Sequence, residues 1–376
     1  MKDSRILLTY HDLTVEVESS PNEELLQHMH QTLMGQPGGF RYHHTNLEER
    51  MKSGKENYFM YLRKSGKMMG SVGFCGKHAV TAGLAHDSWL IRYFSIKAPL
   101  RAVPKKRKTK ADLKDENKRS GVLGRFIQPV FADPAQLRDG VKGSEQPSII
   151  FAIIDQTNLR SMNFSSQMGL ETVGTMAGFS FSRMRPRRSE RIEQIANPEK
   201  EVILNQIGEY YKEYSLFYSE SIFKNDDYYM IKEGGRMVAG VQIYPVHWKI
   251  VDFGGKVANG AMKLLTRIPW VRKRISLEKL SFLALDAIYC EPGYESVLYE
   301  LMEGVLERTG NYMAMLMVDE SSDLYGIFRD RKKLGILHKV LGTYNADIRV
   351  RFIQIPEDVR NHFFNNPIYI PTYDNS

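Results

Sequence analysis

The feature that most constrains this chain is a self-similarity. The segment Tyr58-Phe59-Met60-Tyr61-Leu62-Arg63-Lys64-Ser65-Gly66-Lys67-Met68-Met69-Gly70 has an echo about 170 residues later, Tyr228-Tyr229-Met230-Ile231-Lys232-Glu233-Gly234-Gly235-Arg236-Met237-Val238-Ala239-Gly240. Each copy reads as an aromatic and β-branched strand, a turn centred on Gly with a basic residue, and a second strand. That is the pattern of a β-hairpin, with Gly66 and Gly235 supplying the positive φ that a tight turn requires. A repeat with this spacing indicates one structural unit built twice.

The order of elements continues in both halves. A strand at Trp89–Ile96 corresponds to one at Leu280–Ala287, and each precedes a predicted helix, at Gly121–Leu137 and Tyr294–Arg308. Each helix leads to an apolar strand ending in Asp, at Ile149–Asp155 and Tyr312–Asp319. Short helices follow at Asn158–Met168 and Asp323–Lys333, closed by Gly169 and Gly335, a usual stop just past a helix. Final strands are predicted at Thr175–Met184 and Ile348–Ile355. An amphipathic helix, Pro198–Tyr218, opens the second copy, with Ile203, Ile207, Tyr210, Tyr211 and Tyr214 sharing a face. The seam falls in the basic run Arg185–Glu190. At 376 residues the chain suits two domains, 1–188 and 189–376.

Composition narrows the function classes. No uninterrupted apolar run reaches the ~20 residues of a membrane-spanning helix, and the opening residues carry no secretory pattern. Cys75 and Cys290 lack metal-ligand spacing and read as reduced core thiols of a cytoplasmic protein. No zinc spacing, Walker loop or nucleophile elbow occurs, so no metal is expected. The formal charge of +8 favours an anionic partner, and nucleic acid, phospholipid and a phosphate-bearing cofactor all fit. Residues 99–125 hold ten Lys/Arg against three acids, and further basic runs span 183–191 and 256–274. Residues 257–275 could lie on an anionic surface, but Pro269 interrupts them and packing against the domain is the preferred reading.

The order hairpin, strand, helix, strand, helix, strand resembles the GNAT superfamily of N-acetyltransferases. The resemblance implies an α/β (α+β) fold in two tandem GNAT-like domains, each a mixed, mostly antiparallel sheet with flanking helices. It also implies that two parallel strands splay apart and admit acyl-CoA, acetyl-CoA or another thioester. In the first half the candidate pyrophosphate loop is Lys118-Arg119-Ser120-Gly121-Val122-Leu123-Gly124. It departs from the family signature in that its second small residue, Gly124, comes one place late, after a Lys-rich insertion. The segment from Asn158 through Ser161 and Ser165 to Gly169-Leu170 is similar to the family's Asn-x-x-Ala-x-x-x-Tyr-x-x-x-Gly-Phe. By that likeness Asn158 meets the cofactor arm, an assignment compatible with an ordinary helix N-cap. Ser165 stands in the place of the Tyr that protonates the leaving thiolate, and its hydroxyl is a poor donor. Ser95 and Ile96 are the candidates for backbone N–H groups at the thioester carbonyl. His86 and Asp87, at the start of the same strand, are the candidates for the base.

The second half has no comparable loop, because Glu291-Pro292-Gly293-Tyr294-Glu295 places two acids where a phosphate would sit. Asp323 stands where the first half has Asn158. One cofactor site, in the first half, is therefore the expectation. The leading function is acyl-CoA-dependent N-acyl transfer to a small-molecule or peptide amine. Two other readings stay open: an aminoacyl-tRNA-dependent peptidyltransferase, whose basic insertion would meet RNA, and a non-catalytic acyl-CoA-binding or regulatory protein.

Overall fold

The computed structural model describes residues 4–35, 40–54, 56–96, 122–139, 146–265, 267, 276 and 278–375. Fourteen strands form one sheet. In chain order they are β1 (Arg5–Tyr10), β2 (Leu13–Glu18), β3 (Phe40–His44), β4 (Asn57–Lys64), β5 (Lys67–Thr81), β6 (Leu84–Ile96) and β7 (Ser148–Asp155). There follow β8 (Glu171–Ser182), β9 (Ile192–Gln194), β10 (Tyr228–Glu233), β11 (Arg236–Phe253), β12 (Leu280–Cys290), β13 (Met313–Asp319) and β14 (Tyr344–Ile353). In space they run β1-β2-β4-β5-β6-β7-β14-β8-β13-β12-β11-β10-β9, with β3 pairing off this path to β11.

The repeated hairpins are β4–β5 and β10–β11. Ser65 and Gly66 both have positive φ (48° and 77°), as do Gly234 and Gly235 (58° and 81°), which is the two-residue turn that matches strand twist. Each hairpin continues into an antiparallel third strand, β6 or β12, and each third strand pairs in parallel with the next, β7 or β13.

The two copies then exchange their last strands. β14, from the second copy, pairs with β7 of the first, Ile353 opposite Ser148 and Ala346 opposite Asp155. Reciprocally β8 pairs with β13, Ser182 opposite Met313 and Met176 opposite Asp319. β8 and β14 pair with each other, so the pseudo-symmetry passes between them. The core is correspondingly continuous: Ile149, Phe151 and Val173 pack with Met317, Ile348, Val350 and Phe363.

Most elements lie where the sequence puts them, and the differences have local causes. The helix expected at 121–137 is ordered at Val122–Ala132 and then breaks, with Gln136–Asp139 forming a separate turn. The helix expected to reach Tyr218 ends at Tyr210, with Tyr211 as its C-cap, buried and donating to the Ile288 carbonyl. The aromatic run that follows is core packing around Tyr228 and Tyr369. The helix Lys256–Leu265 sets Met262 into the cluster around Trp248, the packed arrangement preferred above. Among the described residues no helix is long and apolar enough to cross a membrane, and no group of three or more metal-ligating side chains gathers.

Candidate active site

β6 and β7 form a short parallel ladder, from Asp87 opposite Ser148 to Leu90 opposite Phe151, and then diverge. Beyond Leu90 the edge of β6 that faced β7 has no ladder partner, although β6 runs on to Ile96 and β7 to Asp155. The divergence coincides with a bulge. Arg92 pairs with Gly73 and Ser95 with Ser71, so Tyr93 and Phe94 together oppose Val72. Tyr93 takes φ 53°, a left-handed conformation unusual for an aromatic residue. Gly73 makes room for it, since a Cβ there would stand 2.9 Å from the Tyr93 ring.

The bulge sorts side chains between the two faces of the sheet. Phe94 stacks on Phe164 of the helix Leu159–Gln167, with ring centroids 5.1 Å apart. Tyr93 packs on the other face with Leu25, Met29 and Met51, from the helices Glu23–Gln31 and Leu47–Lys52. Ser95 is on that face too, its Oγ 2.7 Å from His28 Nε2. Beside them lies a buried polar cluster of Arg50, His44, Tyr93 and Ser71, 3 to 8% exposed. Burial, then the charges of Arg50 and Arg92, hold the His44 imidazole well below its ordinary range, so it is neutral. Part of this wall belongs to the second copy: His44 pairs with Trp248 of β11, and Tyr42 stacks on the Trp248 ring at 3.9 Å.

The second copy repeats this architecture and then closes it. β12 and β13 are paired only from Leu283–Ala314 to Leu285–Leu316, and Ala287 (φ 45°) occupies the bulge position of Tyr93. Into the resulting gap runs the C-terminal segment. Thr372 Oγ1 donates to the Leu285 carbonyl (2.7 Å) and accepts from the Met317 N–H (3.0 Å), joining the strands where their own ladder stops. The Ile368 N–H donates to Asp319 (3.1 Å), and the Thr372 N–H to Asp286. A cavity of about 20 Å³ remains, lined by Asp286, Ala287, Met317, Asp319, Ile368 and Tyr369 among others, which is room for a single water. Burial, then the nearby Asp374 charge, pushes the Asp286 carboxyl up to about 7. For Asp374 burial acts upward, but Lys77 and Arg92 overcome it and bring the carboxyl down to about 2. In the first cleft, among the described residues, no segment is hydrogen-bonded between the diverging strands.

This architecture matches solved structures of Saccharomyces cerevisiae N-myristoyltransferase with bound myristoyl-CoA. One aligns with a TM-score of 0.54 at 11% identity, covering 93% of this chain and 85% of that one; a second gives 0.53 at 10% identity, covering 93% and 81%. No protein-family model matches the sequence, and no curated protein matches it. The fold is the one these N-myristoyltransferase structures share. At this identity the likeness establishes the fold alone.

Within this framework the sequence-predicted residues separate. Ser95 and Ile96 lie on the diverging part of β6, beyond the bulge, and Asn158 caps the helix at the end of β7, accepting from the Ser161 N–H at 3.1 Å. Val122, Leu123 and Gly124 form the first turn of the helix after β6, while Lys118, Arg119, Ser120 and Gly121 lie outside the described residues. Ser165 is buried in its helix and donates to the Met162 carbonyl (2.8 Å), so its hydroxyl is engaged with the backbone.

His86 and Asp87, the candidate bases, lie away from the bulge. Both sit at the paired, closed end of β6, seven and six residues before Tyr93, roughly 20 Å along the strand. His86 is buried, its Nε2 3.0 Å from Thr81 Oγ1, and burial pushes its pKa down. Asp87 is buried between Arg138 and His78. Sequence reasoning missed His28 and Arg50, although a signal existed. Each occupies the i+3 place of an i, i+3, i+4 buried stripe, Leu25-His28-Met29 and Leu47-Arg50-Met51, where a third apolar residue would be the ordinary choice.

Proposed function

We propose that the chain is an acyl-CoA-dependent N-acyltransferase with one active site, in the copy spanning 1–188, and that the copy spanning 189–376 shapes the acceptor side. One observation carries this reading: of two equivalent clefts, the second is filled by the chain's own residues 368–372, while among the described residues no segment is hydrogen-bonded between the diverging strands of the first. The bound myristoyl-CoA of the yeast N-myristoyltransferase supports acyl-CoA as the class of cofactor.

The thioester would lie along the free edge of β6, with whichever of the Ser95 and Ile96 N–H groups turns away from β5 directed at its carbonyl oxygen, where negative charge develops. Asn158 and Ser161 would meet the cofactor arm, and the backbone at 118–124 its pyrophosphate. An amine arriving from the face of His28 attacks the carbonyl carbon. Its proton passes to Ser95 Oγ as the Ser95 hydroxyl proton passes to His28 Nε2. The C–S bond then breaks and the CoA thiolate leaves, taking its proton from water, since Ser165 is engaged with the backbone.

The test is calorimetry with acetyl-CoA and longer acyl-CoAs, beside thiol release over a panel of amines. Saturable binding of one acyl-CoA per chain with amine-dependent thiol release is expected. Binding without release would favour a non-catalytic acyl-CoA-binding protein. Absence of acyl-CoA binding together with tight, salt-sensitive binding of tRNA would favour the peptidyltransferase-like reading.

A further inference from the structure

The buried polar cluster on the acceptor face holds more positive charge than the described residues pair with. Arg50 is 3% exposed, and only its Nη2 is bonded, to the Tyr373 carbonyl; its Nε and Nη1 have no partner. Its guanidinium lies over the Tyr373 ring, 4.5 Å from the centroid. Arg92 stands close enough that, after burial, its charge is the next cause lowering the Arg50 pKa. Its guanidinium lies 4.9 Å from the Tyr93 ring centroid. Neither arginine forms an ion pair among the described residues. The carboxylate that influences Arg92, Asp374, is held by Lys77 and by the Tyr218 hydroxyl. Asp374 is thus shared between Lys77 and Arg92, and Arg50 is left without a carboxylate among the described residues. Unsatisfied polar atoms cluster with them: His44 Nδ1, Tyr93 Oη and Ser71 Oγ, on side chains at least nine-tenths buried.

A buried guanidinium with two unused donors is costly to fold around and is matched in shape by a carboxylate, which accepts two parallel N–H bonds. The position also selects the ligand. Arg92, Tyr93 and Ser95 are close neighbours in one strand, so an anion at Arg50 and Arg92 is held beside the bulge where the amine must attack.

We propose that Arg50, with Arg92 beside it, seats a carboxylate carried by the acceptor, so that the acceptors are amino carboxylic acids whose amine is presented at the Tyr93 bulge. This rests on the N-acyltransferase reading above and names its substrate class. The neutral His44 and the Tyr93 hydroxyl supply further donors to the same carboxylate.

The experiment compares wild type with Arg50→Met, which keeps an unbranched flexible stem and removes the guanidinium and its charge. Each is given acyl-CoA and α-amino acids, the corresponding amino acid amides, or simple amines of matched side chain. Thiol release and melting temperature are read in parallel. Wild type should acylate amino acids and show about tenfold or greater loss in kcat/KM with the amides. Arg50→Met should lose that preference chiefly through KM. Without ligand it should melt at or above the wild-type temperature, because an uncompensated buried charge is gone. Equal handling of acids and amides by wild type would overturn the proposal. So would an Arg50→Met protein that melts lower and keeps the preference, as a purely structural arginine would. Should no amine release thiol, melting decides: amino acids at millimolar concentration raise the wild-type temperature and not that of Arg50→Met, and no rise in wild type overturns the proposal. Failure to bind acyl-CoA would overturn the enzymatic reading alone, since the melting comparison still reports on the carboxylate seat.

Discussion

At the scale of single residues, chemistry at the β6 bulge depends on groups whose neighbours in space are distant in sequence. His28 is 67 residues from Ser95, and its Nε2 lies 2.7 Å from the serine oxygen. If His28 receives the amine proton, His28→Gln should lower kcat by about 10²–10⁴-fold. Acyl-CoA affinity should be unchanged by calorimetry. Asp286 offers a prediction about pH and stability. Its carboxyl is pushed up to about 7 from the ordinary 3.8. The folded protein therefore keeps a proton that the unfolded chain releases, and this contribution is complete below about pH 4 and lost as pH rises through 7. Asp286→Asn keeps an acceptor for the Thr372 N–H without the charge. Its advantage in melting temperature over wild type should grow from pH 4 to pH 7 and then level off. Asp374, brought down to about 2, acts in the opposite window, its contribution lost as pH falls from about 4 towards 2 in both proteins.

At the scale of elements, the hairpins were legible because their determinants are local. Gly66 and Gly235 mark turns whose geometry requires positive φ, and alternation of apolar residues marks the strands. The cap at Asn158 was legible for the same reason, and Asn158 Oδ1 accepts from the Ser161 N–H. The bulge was not, because no residue type announces it: Tyr93 at φ 53° is tolerated through the absence of a Cβ at Gly73 on the neighbouring strand. The C-terminal segment was equally hidden, since Ile368–Thr372 completes a parallel ladder that β12 and β13 leave unfinished. Thr372→Val removes the hydroxyl that serves both Leu285 and Met317 and leaves two buried backbone groups unpaired. Chemical denaturation should show a loss of about 1–3 kcal/mol. An unchanged midpoint would mean that the segment merely lies in the cleft without closing it.

At the scale of the whole molecule, duplication was legible and strand exchange was not. Similarity between halves reveals a repeated unit, but β7 against β14 and β8 against β13 are pairings chosen in three dimensions. The exchange bears on the division at 188/189. Both ladder partners of β8 come from the second copy, and both partners of β14 from the first. Residues 1–188 and 189–376 expressed separately should therefore each expose an unpaired apolar strand and aggregate, whereas co-expression should restore a soluble complex. Two independently soluble, cooperatively melting halves would contradict that coupling.

The claim at the centre of this account is that two equivalent clefts carry one acyl-CoA site. Hydrogen-exchange mass spectrometry with saturating acyl-CoA tests it directly, because the strand edges of both clefts are read in one experiment. The account predicts protection in the peptides spanning Ile91–Ile96 and Asn158–Ser161, with no change in those spanning Asp286–Cys290 and Met317–Asp319. Protection in the second pair, or in neither, would contradict it.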